Sequence, residues 1–276
     1  MNTFSAILLL GALGAGFGLV LAIASKVFEV KVDPRITEIA GVLPGANCGG
    51  CGFAGCNACA TAIVNGQAQV NACPVCDGNQ VTRIAAVMGV EVTAAERRVA
   101  CVRCSGGTRA GKKFEYVGIK DCLAALKVCG NGPLDCSYGC MGFGSCVEAC
   151  SFGAIFINDL GVAEVDRDLC TNCMKCAEAC PRGLIVSVPY SADTLVLCNN
   201  KEKGAVAKNH CAISCIGCKL CEKNCETGAI KVVDNCAVID YSLCTSCGIC
   251  ATKCPRKLIV DRNADGRVKP VVIKTV

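Results

Sequence analysis

Two stretches of this chain read almost as one sentence: CTNCMKCAEACPRGLIV at 170–186 and CTSCGICATKCPRKLIV at 244–260. They lie 74 positions apart, and each separates four cysteines by two, two and three residues before a proline. Three cysteines within seven residues fit neither a strand nor a helical stripe. They require a tight loop whose side chains converge, and proline stops the turn that carries the fourth cysteine away. The similarity continues upstream. ACSFGAIFI (149–157) matches NCETGAIKV (224–232) at offset 75, and Cys122 matches Cys198 at offset 76. The second half of the chain is an internal duplication.

Each copy carries two cysteine runs with a β-rich stretch between them. GAIFI (153–157) with VAEV (162–165), and GAIKVV (228–233) with AVID (237–240), predict two hairpins. In the second copy the upstream run CAISCIGCKLCEKNCE has full C-x2-C-x2-C-x3-C spacing. That spacing is the iron–sulfur run of two-cluster ferredoxins, in which three cysteines hold one cluster and the fourth holds the other. The ligand sets follow. Cys215, Cys218, Cys221 and Cys254 form one, and Cys244, Cys247, Cys250 and Cys225 a second. Cys170, Cys173, Cys176 and Cys150 form a third.

The remaining site of the first copy must use Cys180 and the irregular stretch CSYGCMGFGSCVEACS (136–151). At offset 75, Cys136, Cys140, Cys146 and Cys150 match Cys211, Cys215, Cys221 and Cys225, while Phe143 stands where the second copy has Cys218. The stretch therefore reads as a remodelled run in which Cys136 replaces the missing ligand, giving Cys136, Cys140, Cys146 and Cys180. Ser151 and Glu226 replace the usual proline. Repeat position suggests a further metal site from Cys104, Cys122, Cys198 and Cys211 at the junction of the copies. Two alternatives stand beside it: buried thiols without metal, or a site using Cys101. Cys129 and Cys236 read as inert, and His210 as a surface imidazole.

A separate group lies upstream in NCGGCGFAGCNACATAIVNGQAQVNACPVC. Cys48, Cys51 and Cys56 sit in a glycine-rich loop that can wrap closely round a ligand, and Cys73 follows sixteen residues later. Residues 56–65 predict a short helix ending at Gly66. Structural zinc sites usually pair two short knuckles. Three local ligands and one remote one favour iron–sulfur. Cys59 and Cys76 read as spare small apolar residues.

Composition supports metal over disulfides. Cysteine fills 29 of 276 positions, an odd count, while the chain has no Trp and only 8 Phe and 4 Tyr. So thin an apolar core needs the folding free energy that bound metal supplies. The formal charge of +5 counts every cysteine as neutral. Ligating thiolates and metal change that balance, and no Lys/Arg run with interleaved aromatics points to nucleic acid.

Residues 4–25, FSAILLLGALGAGFGLVLAIAS, carry no charge. Twenty-two helical residues span about 33 Å, enough for a bilayer core. No basic n-region precedes them, which favours an anchor over a cleaved signal peptide. Lys26, Lys31 and Arg35 follow, placing the bulk of the chain in the cytoplasm. Gly11, Gly14 and Gly18 offer a small-residue packing face or ordinary transmembrane glycines.

An anchor, an N-C-G-G-C-G-x-x-G-C domain and tandem ferredoxin modules together resemble the B subunit of the Rnf complexes, in the extended cysteine-rich form. The resemblance covers essentially the whole chain. Its fold class is then α+β: an N-terminal transmembrane helix (1–28), a small 4Fe-4S domain (34–92), a connector (93–119), two ferredoxin-like modules (120–190 and 196–265) and a tail (266–276). The resemblance implies [4Fe-4S] clusters and maps the first onto Cys48, Cys51, Cys56 and Cys73; with the sets read from the cysteine runs five are expected, and the extra site suggested by repeat position would make a sixth. It implies a cytoplasmic (inner) membrane location, reduced soluble ferredoxin as donor, and the other Rnf subunits as partners. Those include membrane subunits and a flavin- and NAD-binding subunit, and the electron flow to NAD+ is coupled to Na+ or H+ export. The chain itself has no dinucleotide loop and no ionisable residue inside the apolar run, so it reads as a wire rather than a catalyst. Rival readings are an iron–sulfur subunit of another membrane redox enzyme, such as a hydrogenase, and a zinc-stapled scaffold.

Overall fold

The computed structural model describes residues 3–27, 33–91, 96–128 and 130–262, with side chains of the first helix described from residue 11 to 26. Helix α1 (Thr3–Val27) is 25 residues long. Among the described residues no helix is long and apolar enough to cross a membrane. The apolar run at 4–25 falls partly outside those side chains. Cys129, residues 28–32 and the tail at 266–276 lie outside the described residues.

Three helices build the first domain. Asp33 caps α2 (Pro34–Val42), accepting from Arg35 N–H at 2.9 Å, with proline in its first turn. Helix α3 (Cys56–Val64) ends before Gly66, whose φ of 71° suits a residue without Cβ. Helix α4 (Gly78–Met88) carries an Asp77–Gln80 capping box and ends on left-handed Gly89. Ile39, Val42 and Leu43 of α2 and its exit pack on Cys59, Ala60, Ile63 and Ile84. Each helix buries one stripe, so the domain has its own small core.

The two modules share one plan. In the first, β1 (Arg98–Val102) is followed by α5 (Cys122–Leu126), α6 (Ser145–Glu148), β2 (Ile155–Ile157), β3 (Ala163–Val165), α7 (Lys175–Glu178) and β4 (Ile185–Pro189). In the second, β5 (Thr194–Val196) is followed by α8 (Gly204–His210), α9 (Leu220–Lys223), β6 (Ile230–Val233), β7 (Cys236–Ile239), α10 (Ile249–Lys253) and β8 (Ile259–Asp261). The sheets are all antiparallel pairs: β1–β4, β2–β3, β5–β8 and β6–β7. Both expected hairpins are present, with Ile155 opposite Val165 and Ile230 opposite Ile239.

Strand β1 departs from the sequence reading. Residues 93–119 are not a mere connector, because β1 pairs with β4 over five residues and closes the first module. Its counterpart β5 does the same with β8 and begins at Thr194, before the expected boundary at 196. Alternation gives β1 two working faces. Ala100 and Val102 enter the first module's core with Ile155, Leu184 and Ile185. Val99 and Cys101 turn the other way and, with Val188 of β4, pack onto Leu195 and Val260 of the second sheet pair. That shared layer locks the modules together.

Candidate metal centres

In the first domain, Cys48, Cys51, Cys56 and Cys73 line one small cavity with Cys59. Asn47 Oδ1 accepts from the Cys56 N–H at 2.8 Å and so holds the start of α3. A Cβ at Gly55 would meet that oxygen at 2.8 Å, which explains the glycine before Cys56. Cys59 is 1% exposed, and burial, followed by the nearby Cys51 charge, pushes its thiol up to about 12. Cys76 is also pushed up, chiefly by Cys73 beside it, and Cys73 is in turn held down at about 6.

The second module has two such cavities. Cys215, Cys218, Cys221 and Cys254 line one, and Cys225, Cys244, Cys247 and Cys250 the other. In the first module, burial pushes the Cys176 thiol up to about 12, reinforced by Cys170, Cys173 and Cys150 around it. These groupings agree with the sets read from spacing.

The loops that present these cysteines share a backbone. Residues on either side of the middle position adopt left-handed φ: Asn172 (57°) and Met174 (60°), Gly217 (65°) and Lys219 (60°), Ser246 (55°) and Gly248 (73°). Left-handed Met, Lys and Ser are costly, so a loop that keeps them is strongly determined. Gly142 (75°) and Gly144 (88°) repeat the pattern around Phe143. The irregular stretch is thus an intact cluster loop without its middle cysteine.

The structure groups two residues differently from the sequence reading. Burial pushes the Cys146 thiol up to about 12, reinforced by Cys140, Cys122, Cys180 and Cys176 around it. Cys122, not Cys136, therefore stands with Cys140, Cys146 and Cys180. The cause is a brace between two helix starts. The Cys122 N–H donates to Ser145 Oγ at 2.8 Å, and that hydroxyl donates to Asp121 Oδ2 at 2.8 Å. Cys136 instead lines a cavity with Cys104, Cys198 and Cys211, where Cys122 was expected. The offset-76 match was misleading, because Cys122 lies on an insertion of the first copy. The true partner of Cys198 is Cys104, since each lies two residues beyond its strand, β5 or β1. Cys101 points into the layer between the modules. His210 joins none of these groups, and its Nδ1 lies 2.8 Å from Glu202 Oε2.

Among the described residues, no three His, Cys, Asp or Glu side chains converge closely enough to hold a single metal ion. The first-domain set and both second-module sets instead surround a space, as a polynuclear cluster with thiolates on its outer corners requires. Sulfurs in the sets accept backbone N–H bonds. Cys170 Sγ takes them from Ala100 at 3.3 Å and Asn172 at 3.5 Å, and Cys180 Sγ from Leu184 at 3.5 Å. Such donors tune a cluster's potential. The residues present fit iron–sulfur clusters.

Comparison with known proteins agrees. Residues 43–75 match a family model described as "Putative Fe-S cluster", and residues 162–185 and 237–260 match models of a 4Fe-4S binding domain. The B subunit of the ion-translocating oxidoreductase complex of Methanosarcina acetivorans is 45% identical over 92% of this chain and 97% of its own length. The B subunit of the Na(+)-translocating ferredoxin:NAD(+) oxidoreductase complex of Acetobacterium woodii is 44% identical, over 91% of this chain and 75% of that protein. The proton-translocating counterpart of Clostridium ljungdahlii is 44% identical over 92% and 91%. With identity of that level across nearly the whole length, the chain belongs to the B-subunit family of ion-translocating oxidoreductase complexes.

Proposed function

We propose that this chain is the membrane-anchored wire of an Rnf-type ferredoxin:NAD+ oxidoreductase. Clusters on the five cysteine sets supply one-electron carriers, and the protein holds them in order. One observation carries the reading: ligand loops touch one another along the chain of sites. A Cβ at Gly50, between Cys48 and Cys51, would meet the Cys173 carbonyl oxygen at 2.9 Å, so the first-domain loop rests on a first-module loop. Cys176 of that loop is a neighbour of Cys146 in the next set. In the second module Cys221 of one set neighbours Cys250 of the other.

Direction follows from exposure. Cys218 and Cys247 are the exposed ligands, both in the second module. A soluble carrier such as reduced ferredoxin reaches clusters there first. The opposite end of the series is the first domain, next in sequence to α1. That helix leaves Phe17 and Leu21 67% and 69% exposed, which suits lipid or other membrane subunits as its surroundings. Electrons then run from the second module toward the membrane, and onward to the flavin- and NAD-binding subunit, with Na+ or H+ moved by other subunits.

The test is anaerobic purification of the full chain followed by reduced ferredoxin. Brown protein with about twenty or more irons, and equal acid-labile sulfide, is expected for five or more four-iron sites. Its visible absorbance should bleach on mixing with the reduced carrier. A colourless protein holding zinc would overturn the proposal.

A further inference from the structure

The five sets leave a break. The first domain and first module form one continuous series and the second module another, with nothing in them joining the two. The cavity lined by Cys104, Cys136, Cys198 and Cys211 lies at that break. No matched family segment includes any of these four residues.

It is a small, cysteine-lined cavity like the three described above. Cys136, Cys198 and Cys211 are 5%, 8% and 7% exposed. Its sulfurs accept the same bonds as Cys170. Cys104 Sγ takes the N–H two residues on, from Gly106 at 3.4 Å, and Cys198 Sγ takes that of Asn200 at 3.5 Å. The side chain of Asn200, itself 1% exposed, donates to Cys136 Sγ at 3.5 Å. Gly106 leaves room for the approach, because a Cβ there would meet Cys211 Sγ at 3.3 Å and Cys104 Sγ at 3.6 Å.

The site is also symmetric. Each copy supplies one cysteine after its first strand and one before its first loop. The arginine after each Cys-Pro pair clamps the second of these. Arg182 donates to the Cys136 carbonyl at 3.1 Å, and Arg256 to that of Cys211 at 3.0 Å. Arg103 donates to the Cys198 carbonyl at 3.1 Å. Four thiolates with a four-iron core carry roughly two negative charges, and these guanidinium groups offset them.

We propose that Cys104, Cys136, Cys198 and Cys211 ligate a sixth [4Fe-4S] cluster, which joins the two modules into one electron path. The inference rests on reading the other sets as clusters. Backbone links run outward on both sides. The N–H of Cys140, a first-module ligand, donates to Cys104 Sγ at 3.3 Å, and the N–H of Cys215, a second-module ligand, donates to Cys198 Sγ at 3.4 Å. Cys236 adds a third link. It is 3% exposed and its Sγ donates to the Cys198 carbonyl oxygen at 3.2 Å, a role its inert sequence reading missed.

The experiment is iron and acid-labile sulfide analysis of the anaerobically purified full chain and three variants. Wild type should hold about twenty-four irons. Cys211→Ala and Cys122→Ala should each lose about four, and the double variant about eight, because the two residues serve different clusters. A wild-type count near twenty overturns the sixth site while leaving the five-cluster wire intact. A double variant that loses no more than either single, or a Cys211→Ala chain with unchanged iron or with zinc lost instead, also overturns it. If Cys211→Ala loses all metal through misfolding, the wild-type count decides. A metal-free wild type would instead sink the electron-transfer reading itself.

Discussion

The two modules use the same loop, yet complete it differently. In the second, the loop 215–221 supplies its own middle ligand, Cys218, which lies exposed at the surface. In the first, Phe143 takes that position and packs against Tyr116, the rings tilted by 52° with centroids 5.0 Å apart. The ligand arrives instead from α5, on the insertion that only the first copy has. The outer copy therefore keeps a solvent-facing ligand, and the inner copy covers the equivalent position with an aromatic pair. An exposed ligand suits exchange with a soluble carrier. A covered one suits passage within the protein.

The largest test exchanges these solutions. Cys218→Phe should remove about four irons from the second module, with no substitute ligand at hand. Cys122→Ala should remove about four from the first, and adding Phe143→Cys should restore them by rebuilding the second module's loop. Iron analysis decides, and a failure to restore would mean that the two loops are not interchangeable. Next in size is Gly142→Ala. Its Cβ would lie 2.3 Å from the Gly161 carbonyl oxygen at a φ of 75°. A loss of about 3 kcal/mol is expected. Gly217→Ala meets only Asn235 O at 3.4 Å and should cost about 1 kcal/mol. Thermal bleaching of the holo-protein would measure both, and equal losses would break the comparison.

The arginine clamps differ by less. Arg182 serves the carbonyls of Cys136, Gly139 and Asn131, whereas Arg256 serves those of Cys211 and Ser214. Arg182→Gln should cost about 1–3 kcal/mol by leaving buried acceptors unpaired, and Arg256→Gln less. Denaturant midpoints would rank them, and the reverse order would contradict the geometry. The smallest effect is Tyr116→Ala, which removes the aromatic pair. About 0.5–1.5 kcal/mol should be lost beyond the buried area, with no change in iron content.

Much of this was legible in the residues. The repeated runs named the cysteines that the fold brings together at 150–176 and throughout the second module, and the hairpins followed from period-two alternation. Two things were not legible by offset alone. Strand β1 finds its partner 87 positions away at its centre, Ala100 opposite Ser187, and RVACV carries no turn signal linking the two. The exchange of Cys122 and Cys136 had a visible clue that offset counting hid. Thirty-one residues separate Cys104 from Cys136, but only twelve separate Cys198 from Cys211. Aligning the cysteines that follow the strands, VACVRC with LVLC, would have placed the insertion and left Cys122 on it.

The symmetric junction also has a bearing on how the molecule is made. Its four cysteines come in two pairs, one from each copy, so neither copy alone encloses the space. During synthesis Cys104 and Cys136 emerge well before Cys198 and Cys211. The centre can be filled only after the second module has docked on the layer formed by Val99, Val188 and Leu195. Every other set is complete within a single unit of the fold. The junction cluster would thus be the last inserted, and its presence would report that the two halves have met.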